Sequence, residues 1–421
     1  MHLKALLDLD VVALETDDEI SVLLELMAPA GDPDHSRPPS TLEVVLDRSG
    51  SMADGRLEAA KGALEALIAR LDPRDNFGLV TFDDAVTVDV PAGPLADKDG
   101  VRRRIRSFHP GASTNLAGGY LRGMQEARRV VPDGGSATVL LLSDGHANVG
   151  VTDPAQLGRV AEGAWQRGVT TSTIGLGLGY DEMLMAAIAR GGSGNTHFAE
   201  EADTAGAVIA AEVDDLLEQV VQAASLTVRP SADVAAIRLY NDLPHAPIEG
   251  GFMVELGDFY AGEERRLLLR VDVPAMRALG LAQVCDLELS WTDAKTMEQH
   301  TVNLPLHVNV VPGDAAAGRI PDPKVRSEVA FQDAQLVKRE AAEQMRGGDH
   351  LHAAKLLSDA SLRLGQAAAG APPELSEDLL SEARLLDDLA ARAPHDDPRR
   401  LSKFVEHDRH YKNRKRGRRR P

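Results

Sequence analysis

The chain has 421 residues, more than one ordinary core accommodates, so two or three domains are expected. A single cysteine, Cys285, excludes an intrachain disulfide framework and any cysteine-rich zinc module. The net charge of −19 is unevenly spread: residues 399–421 hold 11 Lys/Arg against 2 Asp/Glu, leaving 35 basic and 63 acidic residues in the rest, and so acidic a body argues against nucleic acid binding over its general surface.

Aromatics make up only 4% of the chain, so its cores must be built mainly from Ala, Leu and Val. The N-terminal Met-His-Leu-Lys-Ala-Leu-Leu-Asp-Leu-Asp turns acidic before a signal-peptide apolar core forms. No run reaches the roughly eighteen apolar residues of a membrane span. A cytoplasmic protein is expected.

In chain order, Ile20, Val22, Leu24 and Leu26 alternate with other residues, the period of a half-buried strand. From about Thr41 the pattern changes. Short β-rich runs come first: Leu42–Leu46, Phe77–Phe82, Thr138–Leu142 and Thr170–Ile174. Helical stretches lie between and after them. Leu57, Ala60, Leu64, Leu67, Ile68 and Leu71 share one face, and Leu116–Val131, Pro154–Arg167, Glu182–Arg190 and Thr204–Val221 read as further helices. Apolar strands alternating with helices predict a mostly parallel sheet covered on both faces, which binds ligands beyond the carboxyl ends of its strands. Period two returns in Leu267–Val273, Cys285–Trp291 and Val302–Val310. One or two N-terminal strands are not stable alone, so residues 1–40 are expected to pair with 225–312 in a β-sandwich, with an α/β domain, 41–222, inserted in it. Residues 322–393 predict an antiparallel helical hairpin plus one more helix. The basic tail, 394–421, shows no apolar face and is expected to be disordered.

The chemistry concentrates at strand ends. Asp47-Arg-Ser-Gly-Ser51 follows the run Leu42–Leu46 and leads into a helix. A carboxylate followed by two serines, each two residues on, suits a loop curled around a small cation, and Gly50 permits the tight path. Oxygen-only donors suit a hard ion, and Mg²⁺ keeps several waters. Thr114 stands just before a helix, and Asp144 ends the strand Thr138–Leu142. Alone, Asp-x-Ser-Gly-Ser is an ordinary cap and turn. With Thr114 and Asp144 on the same sheet edge it becomes a candidate site.

These residues resemble the von Willebrand factor A domains, whose metal-ion-dependent adhesion site uses Asp-x-Ser-x-Ser, a Thr before the next large helix and an Asp at a later strand end. The resemblance covers about residues 41–222, including Ile174-Gly-Leu-Gly-Leu-Gly-Tyr-Asp181. The flanks look like bacterial members related in sequence to calcium-activated chloride channel proteins. It implies a Rossmann-like α/β fold and one Mg²⁺ (or Mn²⁺ or Ca²⁺) held by Asp47, Ser49, Ser51, Thr114 and Asp144, with the aspartates acting largely through water. It also implies a non-enzymatic interaction module that binds an Asp or Glu of a partner protein. Similar bacterial proteins work with AAA+ ATPases or other intracellular assemblies.

Two rival functions are weighed. A Mg²⁺-dependent hydrolase would use Asp47 as nucleophile, but an Asp-x-Asp phosphatase needs a carboxylate where Ser49 stands. An RNA-associated protein would act through the tail 399–421, which alternatively folds back on the acidic body or serves only solubility. Gly175, Gly177 and Gly179 read as a structural turn, His146 as a loop histidine and Cys285 as inert core, while Asp83-Asp84 suggests a second cation or, equally well, a solvated turn after Phe82.

Overall fold

The chain opens with three strands, β1 (His2–Leu7), β2 (Val11–Ala13) and β3 (Asp18–Met27), one more than the sequence predicts. The computed structural model describes residues 1–30, 39–131, 136–144, 147–177, 179–199, 206–210, 219–243, 245–296 and 298–414. β1 is an edge strand paired antiparallel with β3, and β3 takes its other partner from beyond an intervening α/β unit.

That unit is a six-stranded sheet of β4 (Thr41–Asp47), β5 (Asn76–Phe82), β6 (Val86–Pro94), β7 (Ala137–Ser143), β8 (Val169–Leu176) and β9 (Ser193–Ala199), in the order β6-β5-β4-β7-β8-β9. All pairings are parallel except β5 with β6. Helices α1 (Arg56–Arg70), α2 (Lys98–Arg106), α3 (Leu116–Val130), α4 (Pro154–Trp165) and α5 (Glu182–Gly191) cover the faces. Leu42, Val44 and Leu46 of β4 pack into one core with Leu57, Leu64 and Ile68 of α1, whereas Val45 packs into the other with Leu116 and Tyr120 of α3. Burial on both faces explains why β4 shows no alternation. From β4 the chain passes to β5 on one side, and after β6 it crosses to β7 on the other side of β4. The crevice between them, at the C-terminal edge, is where such sheets place a ligand.

Downstream strands are β10 (Gln219–Pro230), β11 (Ala236–Leu239), β12 (His245–Ile248), β13 (Gly251–Tyr260), β14 (Glu264–Val273), β15 (Gly280–Asp293) and β16 (Gln299–Val311). Two sheets result, β1-β3-β14-β11 and β12-β13-β10-β15-β16-β2, and they share one core. Ile20, Val22, Leu24 and Leu26 of β3 meet Leu226, Leu287 and Val308 there. Cys285 is fully buried in this core, and burial pushes its thiol up to about 12. The helix expected over Thr204–Val221 is shorter: residues 206–210 are helical, 211–218 lie outside the described residues, and Gln219 already starts β10. Three β-branched valines, Val220, Val221 and Val228, suit that strand.

Four long helices follow rather than three: α6 (Pro323–Gly347), α7 (His350–Ala369), α8 (Pro373–Arg392) and α9 (Pro398–Arg414). None of the described helices is long and apolar enough to cross a membrane. Helix α9 corrects the expectation of a disordered tail. Leu401 and Val405, four residues apart, do form an apolar face, and they are buried in the helical core. Charge supplies the rest of the docking. Arg409 meets Asp242 of the sandwich at 2.6 Å, and Lys412 pairs with Glu382 of α8 and with Asp408. Lys338 of α6, fully buried, pairs with Glu382 and Asp408. Part of the tail therefore folds back on the acidic body; residues 415–421 lie outside the described residues.

Burial alone would raise the Glu382 carboxyl, but Lys338 and Lys412 together hold it down to about 2 from its ordinary 4.5. Its contribution to stability is therefore full above pH 4.5 and is lost as pH falls toward 2. Glu382→Gln should lower stability at pH 7 by about 3 kcal/mol, because it leaves Lys338 under-compensated. It should also flatten the acid limb of a urea-denaturation series; an acid limb as steep as that of the unaltered chain would show that Glu382 does not carry this charge.

Candidate metal centre

Three loops meet at the C-terminal edge of the parallel sheet. β4 ends on Asp47, and its loop passes through Ser49 and Ser51 into a short 3-10 turn, Gly50–Met52, whose Met52 is buried as a plug. The second loop, leading to α3, is stitched to the first by backbone: Gly50 N–H donates to Ala112 O at 2.9 Å, and Gly111 N–H to Arg48 O at 2.6 Å. At Gly50 a Cβ would stand 3.3 Å from the Gly111 carbonyl, so glycine allows this approach. The third loop follows β7 and begins with Asp144.

Within this frame, Asp47 is fully buried and both its oxygens are engaged. Oδ1 accepts from Ser49 N–H at 2.8 Å, and Oδ2 accepts from the Ser143 hydroxyl. Asp144 is also buried; its Oδ1 accepts from the Ser51 hydroxyl at 2.6 Å and its Oδ2 from Arg56 Nη1 at 2.9 Å. The Ser49 and Ser51 hydroxyl oxygens lie 3.1 Å apart. Asp47, Ser49, Ser51 and Asp144 thus form one connected polar chain, with Ser51 on the exposed side. Thr114 is buried on the second loop and held by backbone. Its N–H donates to Asn148 Oδ1 at 2.9 Å, while its carbonyl accepts from Asn148 and Val149 N–H; its hydroxyl makes no hydrogen bond to the other four.

Burial pushes the Asp47 carboxyl up to about 6, although hydrogen bonds from Ser143 and Ser49 oppose the rise. Burial likewise raises Asp144, against the hydrogen bonds from Ser51 and Arg56. Two buried carboxylates thus sit beside two neutral hydroxyls. Among the described residues no group of three or more His, Cys, Asp or Glu converges anywhere. The donor set here is rich in hydroxyls, and its hard oxygens fit a small divalent cation rather than a soft one.

Several supporting residues were not read from the sequence as part of a site. Ser143 anchors Asp47, and its signal was a polar residue closing the apolar run Leu140–Leu142. Arg56 binds Asp144, and its signal was a basic residue opening a helix, where acids are favoured. Asp83 is no solvated turn: it is buried, pairs with Arg48 at 3.0 Å and accepts from Ala85 N–H, and its carbonyl receives Asn115 N–H at 2.7 Å. It locks the second loop onto the first. Asp84 beside it is exposed. Gly175 lies inside β8 and Gly177 has φ +71°, so these glycines serve backbone geometry. His146 lies outside the described residues.

The edge geometry and the sheet order agree with comparisons to known proteins. Residues 42–219 match the family model of the von Willebrand factor type A domain, and this part of the chain belongs to that family. The Escherichia coli (strain K12) protein YfbK is 32% identical over 182 residues, which are 43% of this chain. The chain spans about a third of that relative's length (32%). Among solved structures, a von Willebrand factor type A protein from Catenulispora acidiphila superposes with TM-score 0.70 at 16% identity, covering 93% of this chain and 88% of that one. The ArnB paralog VWA2 from Sulfolobus acidocaldarius gives 0.65 at 14% identity, covering 97% of both. At such identity only the fold is shared, but it extends over nearly the whole chain, sandwich and helices included.

Ser143→Ala removes the hydroxyl donor from a buried carboxylate oxygen. It should cost about 1–3 kcal/mol in urea denaturation performed in EDTA. A loss below about 0.5 kcal/mol would mean that Asp47 Oδ2 finds another donor.

Proposed function

We propose that the chain is a non-catalytic interaction protein that captures an acidic group of a partner protein through a divalent cation, Mg²⁺ in the first instance, at this sheet edge. Ser49, Ser51 and Thr114 would hold the ion by their hydroxyls, and Asp47 and Asp144 would hold its waters. When bound, the cation supplies an open coordination position for a carboxylate. Mn²⁺ or Ca²⁺ would serve the same donors less selectively.

The observation that carries the reading is the engagement of Asp47. Both its oxygens already accept from Ser49 N–H and Ser143 Oγ. Direct donors are then mainly neutral, and an ion so held keeps most of its charge for an outside anion. The same engagement argues against Asp47 as the nucleophile of a hydrolase. The acidic body does not prevent capture, because its repulsion is screened within about 8 Å at physiological salt while the ion acts at contact. An AAA+ ATPase or another intracellular assembly is the kind of partner we infer, with the helical part as a second docking surface. The RNA reading is weakened by the use of Lys403, Arg409 and Lys412 in contacts with Tyr180, Asp242 and Glu382.

Ser49→Ala should bind Mg²⁺ at least about tenfold more weakly than the unaltered chain in isothermal titration calorimetry, with the thermal melt in EDTA little changed. Partner capture by the tagged chain should be lost in EDTA and in this variant alike. Capture of the same proteins by Ser49→Ala, with and without chelator, would overturn the proposal.

A further inference from the structure

Arg56 is placed at the site against local preference. It is the first residue of α1, where the helix dipole favours an acid, and the chain reaches it through Asp54 at φ +23° and Gly55 at φ +86°. A non-glycine residue at positive φ costs energy, so something must hold this turn. Backbone bonds from Ala53 N–H to Gly50 O at 3.3 Å and from Arg56 N–H to Ala53 O at 3.1 Å close it, and the guanidinium adds two side-chain bonds. Arg56 Nη1 donates to the Ser51 carbonyl at 2.8 Å and to Asp144 Oδ2 at 2.9 Å. The Asp144 side chain has no exposed surface, whereas that of Arg56 is 33% exposed, so the cation lies on the solvent side of the carboxylate. Gly177 backs it. A Cβ there would stand 2.7 Å from Arg56 Nε, so the glycine after Leu176 leaves room for the guanidinium plane as well as supplying φ +71°. Among the described residues, Arg56 Nε and Nη2 have no hydrogen-bond partner, and the side chain opens to solvent on the same edge as Ser51.

We propose that Arg56 is the second half of the ligand receptor, a fixed guanidinium beside the cation position that lowers affinity for the bare cation and binds the incoming carboxylate. This rests on the metal site proposed above and adds a property that site alone does not have. A guanidinium and a divalent ion share the charge of Asp144 and repel one another. A carboxylate entering from solvent relieves the repulsion, because one oxygen meets the ion and the other meets the free nitrogens of the arginine fork. Cation and acidic ligand therefore bind cooperatively, and each is weak alone.

The test uses the full chain and reads free Mn²⁺ by electron paramagnetic resonance, with 50 mM sodium acetate as carboxylate probe against sodium chloride at equal ionic strength. In the unaltered chain acetate should tighten Mn²⁺ binding several-fold beyond its effect on Ser49→Ala. Arg56→Gln should bind Mn²⁺ about tenfold more tightly in chloride and lose the acetate effect. Arg56→Lys, which keeps the charge without the fork, should bind Mn²⁺ in chloride like the unaltered chain and respond less to acetate. It also decides the matter if the glutamine variant folds poorly. Unchanged or weaker Mn²⁺ binding by Arg56→Gln, or a full acetate effect in both variants, overturns the role of Arg56 while leaving the metal site. Equal Mn²⁺ binding by Ser49→Ala and the unaltered chain overturns the metal site itself, and this proposal with it.

Discussion

Two carboxylates, Asp47 and Asp144, are buried at the carboxyl edge of a parallel sheet, and the neighbouring structure is arranged to make that burial tolerable. An unpaired charge in such a place is costly unless hydrogen bonds or opposite charge compensate it. Ser49 and Ser143 serve Asp47, while Ser51 and Arg56 serve Asp144. These hydrogen bonds are incomplete compensation, since burial still raises both carboxyls. The cation proposed for this edge would complete it.

The position is rigid because it hangs on the central strand. β4 is buried along its length between two cores, and its last residue is Asp47. The first two loops are fastened to each other by backbone bonds and by the Arg48–Asp83 pair, while the Ser51 hydroxyl ties the first loop to Asp144 on the third. The other two parts of the chain reach the same unit from the side. Lys403 of α9 donates to the Tyr180 carbonyl at 2.8 Å and lies 4.5 Å from the centre of its ring, in the loop that precedes α5. Arg409 of the same helix holds the sandwich through Asp242. One helix thus ties all three parts together.

Much of this was legible in the sequence for identifiable reasons. The central strands β4 and β7 announce themselves by apolar runs such as Val44–Leu46 and Val139–Leu142, because both faces are covered. Strand β3 announces itself by Ile20, Val22, Leu24 and Leu26 on the sandwich core, although Leu23 is buried on its other face against Leu268 and Val325. Asp47, Ser49, Ser51, Thr114 and Asp144 stand in a recognisable order at recognisable strand ends. Edge strands such as β6 were missed, since partial burial leaves little apolar signal. Helix α9 was missed because its basic residues dominate the local pattern, while the acids that neutralise them, Asp242 and Glu382, are remote in sequence. Arg56 and Ser143 failed to stand out for the same reason. Their importance is to a carboxylate on another element, and no local periodicity reports that.

The central claim is that a divalent ion sits between the Asp47–Ser51 loop and Asp144. Anomalous diffraction from crystals grown with Mn²⁺ tests it most directly. A single anomalous peak within about 2–2.5 Å of the Ser49 and Ser51 hydroxyl oxygens is expected. A peak elsewhere with none at these serines, while Arg56 still spans Ser51 and Asp144, would contradict the account.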